Sequence, residues 1–174
     1  MYKKFQKFFL TESTKSSLSQ EVESILNDQI NMELYSEYAY LIASSWFKNE
    51  NLLGLAKWTQ EHSNEEKGHA LKIIDHMHDR FSNVKYSKID SLDKSWKEPY
   101  EVLETIFEHE QKVTKSLHNI AEKVMGKDEL TYTLIHEMLK EQIEEEAVTE
   151  ELYDKLYKSR TNYAAILMID QKYV

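Results

Sequence analysis

Glu33, Glu66, Glu110 and Glu145 each interrupt an otherwise apolar helical stripe, and two of them have a second potential ligand three residues away, His69 after Glu66 and Gln142 before Glu145. Residues three apart share a helix face, so both pairs point the same way. Carboxylates buried together without compensation cost roughly several kcal/mol per charge and have sharply raised pKa values. Two divalent cations would balance the four charges, with His69 and Gln142 completing the shells. An ordinary buried polar network needs donors, and these side chains are mostly acceptors. The residue types point to a buried two-metal site.

Four helices are needed to position them. Leu103, Ile106, Glu110, Val113, Leu117, Ile120 and Val124 alternate steps of three and four, the period of a bundle seam. Val22, Leu26, Gln29, Glu33, Ser36, Tyr40, Ala43 and Phe47 do the same, as do Leu52, Leu55, Thr59, His62, Glu66, His69, Ile73 and His76. The last stripe is Ile135, Met138, Gln142, Glu145, Thr149, Leu152 and Leu156. These patterns predict helices over 19–49, 52–81, 99–125 and 128–158, with every candidate ligand within about one turn of its helix midpoint. Residues at the midpoints meet at one level whichever way each helix runs. Asn51, Pro99, Gly126 and Asp128 mark helix ends. Short links at 49–51 and 126–128 predict two antiparallel hairpins. Residues 82–98 can reach about 56 Å, enough to run the ~40 Å length of a bundle and make the second and third helices parallel. The expected fold is all-α, a four-helix bundle with one long crossover between helices two and three.

With 174 residues and 20.7 kDa, the chain fits one domain with ample length for that core. We divide it into an amino-terminal extension at 1–17, the bundle at 18–160 and a short carboxy-terminal segment at 161–174. A net charge of −9 argues against nucleic-acid binding and suits a protein that gathers cations. No stretch approaches the ~20 apolar residues of a membrane span. The absence of cysteine fits a reducing compartment, and a cytoplasmic location is expected. Phe8, Phe9 and Leu10 are too few for a signal peptide; residues 1–17 read as an amphipathic arm, mobile or subunit-binding.

The motifs Asn31-Met32-Glu33-Leu34-Tyr35-Ser36, Glu65-Glu66-Lys67-Gly68-His69, His109-Glu110-Gln111 and Glu141-Gln142-Ile143-Glu144-Glu145-Glu146 closely resemble those of the bacterial non-haem ferritins, from about Leu18 to Asp170. The ligand pattern is also that of di-iron carboxylate bundles, except that Gln142-x-x-Glu145 replaces a second Glu-x-x-His. The resemblance implies that Glu33, Glu66, His69 and Glu110 hold a first iron, with Glu66 bridging, and that Glu110, Gln142 and Glu145 belong to a second. It implies a third iron held by Glu65, Glu141, Glu144 and Glu145, and it makes Tyr40 the tyrosine kept beside the di-iron centre. The implied function is iron storage and detoxification, with Fe(II) oxidised by dioxygen at this ferroxidase centre and Fe(III) stored as mineral in a homo-oligomeric shell. Bacterioferritin is similar in fold but expects a haem-ligating Met where Lys67 stands and a His where Glu145 stands, so no haem is expected. Rubrerythrin-like proteins add a cysteine-held iron. The segment Tyr163–Ile169 resembles the run into the fifth helix that ferritins place at a fourfold axis, yet the sequence ends four residues after Asp170. The expected shell is the twenty-four-subunit cage of the family, with a truncated fifth helix at its fourfold channel. The alternatives are a non-storing di-iron bundle that buffers metal, or an oxidase of an organic substrate, which would need an open pocket beside the metals.

Other residues read as scaffold. His62 and His76 are expected to pack through hydrogen bonds, and His78, His109, His118 and His136 to lie at the surface or in subunit contacts. Gly68, in mid-helix, costs about 1 kcal/mol against Ala and either permits a close approach by a neighbouring subunit or has no role.

Overall fold

The computed structural model describes residues 16–92 and 94–174. The expected arm at 1–17 lies almost wholly outside them. Four long helices, α1 (Gln20–Asn49), α2 (Leu53–Asp79), α3 (Pro99–Val124) and α4 (Glu129–Ser159), are followed by a short α5 (Tyr163–Asp170) and a single 3-10 turn, Gln171–Tyr173. Each start has a local cause. Ser19 accepts from the Val22 amide at α1, Pro99 opens α3 behind a Glu98–Glu101 capping box, and Asp128 accepts from the Thr131 amide at α4. Gly126 takes φ 68° in the α3–α4 turn, a conformation in which glycine carries no steric penalty.

Side-chain pairs fix the directions. Gln29 meets Ser116 while Ser36 meets His109, so α1 and α3 run antiparallel. His76 meets Thr131 while Lys72 meets Glu141, so α2 and α4 do too. With α1 and α2 joined by a tight turn, α2 and α3 must be parallel, and the segment from Arg80 to Glu98 is the single long crossover.

The apolar core is divided. At one end Leu26, Ile30, Ile73, Met77, Leu117, Ile120 and Ile135 pack together. At the other, Tyr40, Phe47, Leu55, Leu103, Ile106, Leu152 and Leu156 form a second cluster, closed by Ile166 and Ile169 of α5. The carboxylates lie between the two.

Asn51 does not cap α2. It sits in the left-handed region at φ 59°, the N-cap is Leu52, and Leu52 makes no side-chain bond there. The capping acceptor comes from the far end of the chain: buried Asp170 accepts the Leu55 amide at 2.8 Å. Gly54 permits this approach, because a Cβ on it would lie 1.9 Å from the Asp170 carbonyl oxygen. Gly54→Ala therefore pushes the α5 terminus off α2. The expected cost is about 1–3 kcal/mol, read as a lower Tm and faster proteolysis near Asp170. A wild-type Tm in that variant would show that the tail is not seated as described.

Candidate metal centre

Each long helix delivers its polar residue at mid-length, where neither apolar cluster has yet closed. Glu33, Glu66, Glu110 and Gln142 are buried, as is His69; Glu145 is half-buried at the wall of a cleft. Two groups of ligand atoms each fall within 4.8 Å: Glu33, Glu66 and His69, and then Glu66, Glu110 and Glu145. Glu66 belongs to both.

Donors around the cluster hold some oxygens and leave others bare. Gln29 Nε2 donates to Glu33 Oε1 at 2.7 Å, and is itself fixed by Ser116 Oγ donating to Gln29 Oε1 at 2.5 Å. Glu110 accepts from Tyr40 OH at 2.8 Å and from Gln142 Nε2 at 2.7 Å. Glu33 Oε2 and Glu145 Oε2 are buried with no hydrogen-bond partner among the described residues. Two orphaned, buried oxygens in a ring of carboxylates are placed to take a cation, or a proton in its absence.

The electrostatics agree. Burial pushes Glu33 up to about 7 against the opposing bond from Gln29. Burial, with Glu110 and Glu33 nearby, lifts Glu145 to about 8. Glu66 is raised well above the ordinary carboxylate range by burial and by repulsion from Glu110 and Glu33. Burial also raises Glu110, opposed by its bonds from Gln142 and Tyr40. Tyr40 is held far above its usual range by burial and by Glu110, so its hydroxyl stays a donor. His69 is lowered by burial and by Lys72 and is neutral at pH 7. Its Nε2 lies 3.0 Å from Glu141 Oε2; a carboxylate only accepts, so Nε2 carries the hydrogen and the Nδ1 lone pair faces Glu66 Oε2 at 3.5 Å. Neutral imidazole with a free nitrogen is the metal-binding form.

Beside the centre opens a cleft of about 600 Å³, lined by residues of α2 and α4 that include Glu65, His69, Lys72, Glu141, Glu144 and Glu145. The three outer carboxylates are not drawn to a common point. Glu65 Oε2 lies 3.8 Å from His62 Nε2, Glu141 faces Lys72 and His69, and Glu144 is exposed. Gly68 lines the same cleft with no heavy atom within 4 Å of where a Cβ would be.

His62 and His76 bond to the Trp58 carbonyl at 3.0 Å and to Thr131 Oγ1 at 2.9 Å. His109 does not lie at an open surface, the first of the two positions expected of it. It is half-buried, 2.7 Å from Ser36 Oγ and against the Tyr35 ring, and burial lowers it to about 4. It lies one residue from inward-pointing Glu110, on the side of α3 that packs on α1. Gln29 and Lys72 were not singled out from the sequence. A polar Gln29 one turn before Glu33 on the same stripe was a usable signal; a lysine three residues after His69 was a weaker one.

A one-crossover bundle with carboxylates from all four helices meeting inside one subunit is a ferritin-like fold with a candidate metal centre. Residues 23–159 match the Ferritin-like domain. The chain is 34% identical over 156 residues to the bacterial non-heme ferritin of Bacteroides fragilis, covering 89% of this chain and 97% of that one. It is 35% identical over 140 residues to that of Campylobacter jejuni, covering 80% and 84%. An open pore ferritin from the hyperthermophilic archaeon Archaeoglobus fulgidus superposes with a TM-score of 0.86 at 34% identity, over 90% of this chain and 97% of that one. The chain belongs to the ferritin family, among the bacterial non-haem ferritins. No described helix is long and apolar enough to cross a membrane.

Proposed function

We propose that this protein stores iron: it oxidises Fe(II) with dioxygen at the Glu33, Glu66, His69, Glu110, Gln142 and Glu145 cluster and keeps the Fe(III) as mineral inside a cytoplasmic homo-oligomeric shell of twenty-four subunits. The observation that carries this is Glu66, common to two ligand groups each small enough to hold one ion. Relatives named as bacterial non-heme ferritins support the storage role.

Iron is the substrate and the cargo. Glu33, Glu66 and His69 take one Fe(II); Glu66, Glu110 and Glu145 take the other, with Gln142 adding a neutral oxygen donor once its amide turns from Glu110. Binding displaces the protons that burial keeps on Glu33 and Glu145. Two Fe(II) each give one electron to dioxygen, which with two protons is released as hydrogen peroxide. Hard oxygen donors then favour the Fe(III) product, and a carboxylate that shifts between one ion and two accommodates both oxidation states. Tyr40 holds Glu110 in place throughout. Fe(III) leaves through the cleft past Glu65, Glu141 and Glu144, which with Glu145 make up the group assigned to a third iron. The same cleft is the open pocket that an oxidase of an organic substrate would need, and iron uptake decides between the two readings.

Anaerobic Fe(II) added in large excess to the apo-protein, followed by air, tests the storage reading. Iron far beyond two per chain should remain soluble in one large particle; saturation near two would leave only a buffering or catalytic bundle. Glu110→Ala should abolish rapid oxidation while the helical circular dichroism is kept, and unchanged oxidation kinetics in that variant would overturn the assignment of the centre.

A further inference from the structure

The cleft over the metal centre contains a positive charge of its own. Lys72 Nζ lies 2.9 and 2.7 Å from the two Glu141 carboxylate oxygens, and Glu141 Oε2 also accepts from His69 Nε2 at 3.0 Å. Among the described residues, Lys72 is the one lysine or arginine lining the cleft, where its neighbours include Glu65, Glu141, Glu144 and Glu145. Those four carboxylates are the group the family resemblance gives to a third iron, and one of them already has both oxygens committed to an ammonium.

We propose that Lys72 is a tethered cation standing in for the third metal, so that Glu141 serves as the anchor of His69 and a third ion binds only by displacing the Lys72 ammonium. The inference rests on the reading of the centre given above. Lys72 sits three residues after His69, on the same face of α2, so its tether keeps it within reach of the cleft at every moment. Both Lys72 and Glu141 side chains are 46% exposed, and an ion pair that accessible is readily broken by a competing cation. Lys72 therefore lowers the third site's affinity without closing it. The two uses of Glu141 exclude each other. While it faces Lys72 it also fixes the His69 tautomer, with Nδ1 turned to the centre; once a third ion draws it away, His69 loses that support. The first two ions are thereby favoured over the third, and filling the third loosens the first position, which suits onward movement of iron.

The test is an anaerobic calorimetric titration of the intact metal-free protein with Zn(II), which binds without redox chemistry. Wild type should take two ions tightly per chain and a third weakly. Lys72→Ala should tighten the third about tenfold, since removing a unit charge beside a dication is worth at least that even in water-like surroundings. Lys72→Arg, which keeps the charge, should titrate like wild type, separating charge from space in the cleft. Three tight ions in wild type, or a third affinity unchanged in Lys72→Ala, overturns the role of Lys72 and leaves the two-ion centre standing. Failure of either protein to take up two ions removes the centre itself, and this inference with it.

Discussion

Glu66→Gln is expected to weaken both metal positions together, by on the order of 100-fold or more each, and to stop rapid Fe(II) oxidation, because the change removes the one carboxylate shared by the two ligand groups. Substitution at Glu33 or Glu145 touches one group, so its loss should be confined to one ion. The same variant should be more stable than wild type when metal-free. Glu66 is buried among carboxylates that raise its pKa, and folding must either protonate it or hold its charge out of water. Gln keeps the shape and carries no such penalty, for a gain of about 1–3 kcal/mol. Zn(II) isotherms and urea midpoints with chelator measure the two halves. Two ions bound with wild-type affinity would show that Glu66 is not shared.

The second large effect is a stability that falls with rising pH and is reversed by metal. Carboxyls of the unfolded chain ionise near 4.5, whereas in the empty folded state Glu33 titrates at about 7 and Glu145 at about 8. Between those limits the folded protein binds more protons than the unfolded one, so each pH step upward favours unfolding. The loss starts near pH 4.5, levels off above about 8, and amounts to roughly several kcal/mol for the two groups together. On the acid side Asp128 runs the other way: its bonds from Arg80 and Thr131 hold its carboxyl below the usual range, so its contribution is lost as pH falls. Half-buried His109, lowered to about 4, likewise opposes the trend between about pH 4 and 6.5, so the metal-free protein should lose stability most clearly from pH 6.5 to 8. Filling the site at neutral pH must expel the protons of Glu33 and Glu145, and metal should stabilise more at pH 8 than at pH 5. Urea midpoints at pH 5, 6.5 and 8, with chelator and with Zn(II), together with proton release on adding Zn(II), check this. A metal-free midpoint that climbs from pH 6.5 to 8 would contradict the buried, protonated cluster.

The sequence made the bundle and its polar level legible because both depend on a local period. The stripe from Leu103 to Val124 is buried throughout with Glu110 in its middle, as the three-and-four spacing requires. The link lengths likewise dictated the crossover. What escaped were contacts between residues far apart in the chain. Nothing near Asn51 shows that the acceptor for the start of α2 is Asp170, since the contact depends on where α5 folds back. His109 has no periodic signature of its own, and its burial comes from Tyr35 and Ser36 on α1. Lys72 and Glu141 lie one after a ligand pair and the other before one, and only the packing of α2 on α4 makes them neighbours.

The division of the core into two clusters has a dynamic consequence. Each apolar plug can stay shut while the belt between them breathes, because opening the middle of the bundle exposes carboxylates that gain from meeting water. Ions can thus enter and leave by the swing of a few side chains, with no helix needing to part from its neighbour. An ion in the belt would tie the four helices together at the level between the two clusters, so the protein should be more rigid with the belt filled than with it empty.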